Sequence, residues 1–187
     1  MNYFDYSEFE IEIREDLPAT YVTYWTQLAK PGNWWTGAQR VAIAEETRNA
    51  LTCAFCAERK QALSPYGLEG KHDHAGVLPE RVVDAVHRII TDQNRITQAL
   101  VDDNAANGLS KAAYVELVGI AVTVFSIDEF HRAMGLPVEP LPEPVAGEPS
   151  RYMPPTLVSD MGFVPTIPAE GAKANEADLW QPGFAHN

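Results

Sequence analysis

The chain has 187 residues, with 26 Asp and Glu against 14 Lys and Arg, a formal charge of −12, and 45% hydrophobic residues. A chain of this length buries roughly 70% of the surface its unfolded form exposes, so it holds a core without needing disulfides or metal. The acidic balance and the lack of any basic run argue against a phosphate-tracking nucleic-acid binder and against an anionic membrane surface, since both require clustered Lys and Arg.

No apolar run approaches the ~18–20 residues of a membrane span. The longest, from Val115 to Ile127, is interrupted by Glu116. Early acids stand where a secretory leader would carry basic residues, so the expected location is cytoplasmic. A reducing compartment disfavours a structural disulfide between the two cysteines, Cys53 and Cys56, and points them toward redox chemistry or metal.

In chain order, Phe9 to Arg14 alternate apolar and charged residues, which predicts a short strand or an extended arm. Pro18 opens a first helix carrying Tyr21, Tyr24, Trp25 and Leu28, and Pro31-Gly32 stops it. Thr36 and Gln39 form a capping-box pattern for a helix to about Ala50, with Val41, Ala44 and Leu51 expected inward and Glu45, Glu46 and Arg48 on the surface. Thr52 is the expected N-cap of a third helix bearing Cys53, Cys56, Lys60 and Leu63. A polar loop, 67–76, leads to a helix opened by Pro79 and carrying Val82, Val83, Val86, Ile89 and Ile90. The next, with Ile96 and Leu100 expected inward, ends at Asn107-Gly108. Ser110 caps the longest helix, which runs to Met134 along a stripe of Tyr114, Leu117, Ala121, Val124 and Phe125. That stripe is wide enough to imply packing on two sides, in a bundle or at a subunit contact. From residue 137 onward lie 10 of the 14 prolines and only two basic residues, Arg151 and Lys173. Tyr152, Phe163, Trp180 and Phe184 mark this tail as an extended arm draped over the domain or a neighbour, with a disordered tail as the alternative.

The chemistry-bearing feature is Cys53-x-x-Cys56 at a helix start. Cysteines three apart share a helical face, and the exposed N–H groups of a helix N-terminus stabilise a thiolate. Arg59 and Lys60, three and four residues past Cys56, bring positive charge to that sulfur, weakly opposed by Glu58. Three readings stay open: dithiol redox chemistry, a zinc site completed by His72 and His74, and a pair of small buried hydrophobes.

Thr52-Cys53-Ala54-Phe55-Cys56, after the Val41 to Leu51 segment, resembles the core of the alkyl hydroperoxidase D-like / carboxymuconolactone decarboxylase superfamily. Ala105-Ala106-Asn107-Gly108-Leu109-Ser110, Val115-Glu116-Leu117-Val118 and Met134-Gly135-Leu136-Pro137 resemble its closing two helices, so the likeness covers about residues 36–137. It implies an all-helical, oligomeric fold, with Cys56 as the peroxidatic cysteine and Cys53 as the resolving one. The decarboxylase branch lacks the pair, which disfavours decarboxylation. Longer chains of this variant continue past a similar proline-rich stretch into a second unit, which implies self-association. The chain departs from the family pattern at the proton relay. Lys60 stands where a histidine usually follows the second cysteine by four residues, Phe55 where one often lies between the cysteines, and Val41 at the usual relay glutamate.

Substitutes on this reading are Glu45 or Glu46 and His131. The plainer alternatives are a solvated face for the glutamates, with Glu45 paired to Arg48, and a core or interface position for His131. His87 and His186 attract no role. The sequence therefore predicts an all-α bundle of the alkyl hydroperoxidase D-like kind at 36–136, preceded by an arm and first helix at 1–35 and followed by a proline-rich tail at 137–187. The expected function is a thiol-dependent peroxidase or disulfide reductase acting on small hydroperoxides. Its expected site residues are Cys56, Cys53, Lys60, Glu46 and His131, with no cofactor and no metal. Its expected partners are a dithiol or thioredoxin-like reductant and further copies of itself. The alternatives are a non-catalytic oligomeric scaffold and a zinc-stabilised binding module.

Overall fold

The computed structural model describes residues 3–7, 9, 11–64, 67–159 and 162–167. Among them the chain is all-α, with six α-helices: α1 (Asp16–Leu28), α2 (Gly37–Ala50), α3 (Ala54–Gln61), α4 (Glu80–Thr91), α5 (Gln98–Ala106) and α6 (Lys111–Ala133). The capping box at Thr36 and Gln39 is formed in both directions, and Thr97 and Ser110 cap α5 and α6 with their hydroxyls. Cys53, one residue later than expected, is the N-cap of α3. Gly108, with φ of 99°, takes the left-handed conformation that ends α5, and the chain bends by 117° into α6.

Helices α2, α4 and α6 pack mutually, α1 lies on α2, α3 on α4 and α5 on α6. Trp25, Leu28, Ile43, Val83, Val86, Leu117, Ala121 and Val124 fill the centre. The inward face of α2 is the expected one only at Ala44, which is fully buried. Ile43, Glu46, Thr47 and Ala50 are buried, whereas Leu51 is exposed and Val41 half-buried. On α5 the buried positions are Val101 and Asn104, while Ile96 and Leu100 are only half-buried. Leu63, expected on the α3 stripe, is fully exposed. On α6 Phe125 is half-buried, and the outward Val115 and Val122 are exposed, so the described residues do not cover the whole apolar girth of that helix. No single helix among the described residues is long and apolar enough to cross a membrane.

Both extensions lie on the bundle as far as they are described. Phe4 is buried against Trp25, Tyr21 and the His131 ring. Residues 137–151 run along the α1–α2 connection, where Val145 N–H donates to Ala29 O, Ser150 N–H to Gly32 O and Arg151 N–H to Asn33 O. Trp25 Nε1 donates to Pro140 O at 2.8 Å. Trp180, Phe184 and His186 lie outside the described residues.

One ion pair ties α2 to both α6 and the tail. Arg48 Nε and Nη2 grip Asp128 at 2.8 Å each, and Nη2 also donates to Glu139 O at 2.9 Å. Arg48 is thus committed to α6 and not to Glu45. Asp128 is buried and its other cation, Arg132, stands 4.0 Å off, so removing Arg48 takes both close donors from a carboxylate held away from water, which costs far more than losing a surface pair. Arg48→Ala is expected to lower the unfolding free energy by about 3 kcal/mol in a urea titration, whereas a change below about 1 kcal/mol would show the pair to be solvated.

Candidate functional site

Four segments converge at the start of α3. Cys53 ends the α2–α3 turn, and Cys56 lies one turn into the helix on the same side. Both sulfurs are free and only 3% exposed. The loop after α3 supplies His72 and is held by its neighbour, since Ala54 N–H donates to Asp73 Oδ2 at 3.1 Å. Close approach of Gly70 to Phe55 anchors the same loop. A Cβ at Gly70 would lie 2.4 Å from that ring, so only glycine fits. Helix α4 presents Asp84, His87 and Thr91 toward α3, and α2 contributes Glu46 from its buried face.

Cys56 sits between two imidazoles. Its sulfur lies 3.2 Å from His87 Nδ1 and 3.4 Å from His72 Nδ1, and His72 Nδ1 is also 3.6 Å from Cys53 Sγ. Each ring is held from behind by a carboxylate: His87 Nε2 by Glu46 Oε1 at 2.8 Å, and His72 Nε2 by Asp84 Oδ1 at 3.0 Å. A carboxylate accepts only, so both Nε2 atoms carry the proton and both Nδ1 atoms face the sulfurs. Asp84 is held in turn by Arg88 Nε at 2.7 Å and Arg59 Nη1 at 3.0 Å, and Arg59 Nη2 points at Cys56 Sγ from 3.8 Å.

Burial alone would raise the Cys56 pKa. Hydrogen bonds from His72, His87 and Thr91, together with the positive charge of His87, overcome it and bring the thiol from 9.0 down to about 5. For His72, burial acts to lower the pKa, but the Asp84 hydrogen bond, the bonds to Cys56 and Cys53 and the negative charge of Cys56 raise it from 6.5 to about 10. Asp84 would be raised by burial, yet its bonds to His72, Arg88 and Arg59 hold it well below the usual carboxylate range. At neutral pH Cys56 is therefore a thiolate and His72 an imidazolium.

Of the residues expected from sequence, Cys53, Cys56 and Glu46 meet here. Lys60 is exposed, and the cation beside Cys56 is the buried Arg59. Glu45 is exposed, as its plainer reading had it. His131 is buried among other partners. Its Nδ1 lies 2.6 Å from Pro137 O and its Nε2 2.7 Å from the Tyr6 hydroxyl, so Nδ1–H donates to the carbonyl and Nε2 accepts from Tyr6. It fastens the N-terminal arm and the start of the tail, not the cysteines. His74, the second ligand expected for zinc, is exposed and accepts from Gly76 N–H.

His87, given no role from sequence, is the imidazole nearest Cys56 and is fully buried. The available signal was helical phase: it falls four residues after Val83 on α4, a strongly amphipathic helix. Outside the site a cavity of about 210 Å³ is lined by Phe55, Gly70, His72, Asp84 and neighbouring loop residues. Neither sulfur lines it, but His72, whose Nδ1 faces both sulfurs, does.

No family model, curated protein or solved structure matches the chain.

The field at Cys56 has a direct optical consequence. At pH 6 about nine-tenths of Cys56 is thiolate, against about one in a thousand for an ordinary thiol. In Cys53→Ser, the ultraviolet thiolate absorbance is expected to rise with a midpoint near the pH 5 of the native environment and to move toward 9.0 when His72 is also replaced by Ala. A midpoint near 9 in the parent variant would contradict the geometry.

Proposed function

We propose that the chain is a thiol-dependent peroxidase or disulfide reductase acting on small hydroperoxides, with Cys56 as nucleophile and Cys53 as resolver. The carrying observation is the buried Cys56–His87–Glu46 line, a nucleophile, a base and an orienting carboxylate within hydrogen-bond reach of one another. The resemblance in the cysteine segment supports the same reading. In that light His87 and Glu46 take the places of the relay residues missing at Lys60 and Val41.

The Cys56 thiolate attacks the terminal peroxide oxygen, a new S–O bond forms, and the O–O bond breaks. The departing alkoxide takes a proton from His72 or His87 and leaves as the alcohol. Cys53 then attacks the Cys56 sulfur, and the sulfenic hydroxyl leaves as water with a second proton. Two thiolates, one hydroperoxide and two protons thus give a disulfide, an alcohol and water. The ligand atoms of the two cysteines lie within 4.8 Å of one another, so closing the bond needs a small side-chain movement and no rearrangement of helices. A dithiol or thioredoxin-like reductant restores the pair by exchange. The cavity of about 210 Å³ beside His72 is of a size that suits small substrates. Self-association through the exposed apolar side of α6 and a cytoplasmic location belong to the same proposal.

Stopped-flow consumption of a small alkyl hydroperoxide with a dithiol reductant tests it. Cys56→Ser is expected to fall to background, and His87→Ala and Glu46→Gln to lose about 100-fold in rate while remaining folded. Equal rates in the wild type and Cys56→Ser would overturn the assignment.

A further inference from the structure

Four donor atoms at this site point at one another: Cys53 Sγ, Cys56 Sγ, His72 Nδ1 and His87 Nδ1 all lie within 4.8 Å. Zinc–sulfur bonds of about 2.3 Å and zinc–nitrogen bonds of about 2.0–2.1 Å place the vertices of a tetrahedron roughly 3.3–3.8 Å apart. The sulfur-to-nitrogen separations are 3.2, 3.4 and 3.6 Å, near that spacing for each measured pair. The hydrogen bonding points the same way. His72 Nδ1 has a single N–H to share between two sulfurs, and a central cation would satisfy both at once. A histidine that binds metal is usually oriented by a carboxylate on its other nitrogen. Here both are, by Glu46 at 2.8 Å and Asp84 at 3.0 Å. A donor set of two thiolates and two imidazoles selects a soft or borderline divalent ion over magnesium or calcium.

We propose that Cys53, Cys56, His72 and His87 form a tetrahedral site for a divalent cation of the zinc class, and that oxidation of the two sulfurs to a disulfide ejects it. The binding half stands on the geometry alone, and the ejection half rests on the thiol chemistry proposed above. When a hydroperoxide is the oxidant, the two thiolates give up two electrons and form the S–S bond. The O–O bond accepts those electrons with two protons from solvent, yielding alcohol and water. A disulfide sulfur carries no anionic charge for the metal, so the cation loses two of its four ligands and departs. While bound, it draws charge from the Cys56 sulfur and slows its attack without abolishing it. The site thus exists in a metal-loaded, slower-reacting state and a metal-free, faster-reacting one.

The test uses the reduced, chelator-treated full chain titrated with Zn²⁺ against a competing chromogenic indicator, and with Co²⁺ followed by its visible and charge-transfer bands. One tightly bound ion per chain is expected, with Co²⁺ bands typical of four-coordinate sulfur and nitrogen ligation. Cys53→Ser, Cys56→Ser and His87→Ala should each weaken Zn²⁺ binding by about 100-fold or more, and Glu46→Gln by about 10- to 100-fold, while His74→Ala leaves it unchanged. Oxidising the Zn²⁺-loaded chain with a diazenedicarboxamide, which takes up the two electrons and two protons itself, should transfer the ion to the indicator as the disulfide forms. No stoichiometric binding, or binding that depends on His74 and not His87, overturns the site. Zinc retained after complete disulfide formation overturns the ejection. Peroxidase activity absent with Zn²⁺ binding intact removes the proposed function alone, and activity present without Zn²⁺ binding removes this inference alone.

Discussion

A single chain of hydrogen bonds, buried from Glu46 through His87 to Cys56 and reaching the partly exposed Asp84 by way of His72, organises the cysteine site of this molecule. It draws α2, α3, α4 and the 67–76 loop to one point. Each link suits the next: a carboxylate fixes each imidazole, and the two imidazoles fix one thiolate. In a low-dielectric interior such a chain is costly unless every member is satisfied, because a stranded buried charge destabilises by several kcal/mol. The arrangement therefore resists partial change. Loss of Asp84 would free His72, leave Arg59 without its closest carboxylate and weaken the thiolate together.

The surrounding fold sets the members of that chain against one another. The packing of α2 on α4 sets Glu46 against His87, and α6 closes the far side of both helices with Leu117, Ala121 and Val124. The two extensions act at a distance from the cysteines. His131, Tyr6 and Phe4 fasten the arm, while Arg48 clasps Asp128 and the tail carbonyl of Glu139. These contacts clamp α2 and α6 at the side of the bundle away from the cavity lined by Phe55 and His72.

Much of this was legible in the residues. Helix boundaries were readable where caps are chemical: Thr36 with Gln39, Ser110, Asn107 and Gly108. The meeting of the two cysteines was readable because residues three apart at a helix start share one face. The inward face of α2 was not, because its buried positions are mainly alanine, threonine and glutamate, which carry little hydrophobic period. Ala44 is buried as read, but taking Val41 and Leu51 as inward with it turned Glu46 toward solvent, and the Ile43–Ala50 phase turns it back. His131 attracted a role by its apolar neighbours, but those neighbours bury it for the arm. His87 was passed over for the same type of environment, and only the tertiary meeting of α3 with α4 distinguishes the two. His72 was seen as a zinc ligand, yet local spacing paired it with His74, whereas its structural companion lies on the next helix.

The central claim is that this network makes Cys53 and Cys56 one redox unit. Intact-mass analysis of the reduced chain after one equivalent of alkyl hydroperoxide tests it most directly, followed by alkylation under denaturing conditions. The account predicts a chain lighter by two hydrogen atoms, with both cysteines protected from alkylation until a dithiol is added. An unchanged mass with both thiols fully alkylated would contradict it.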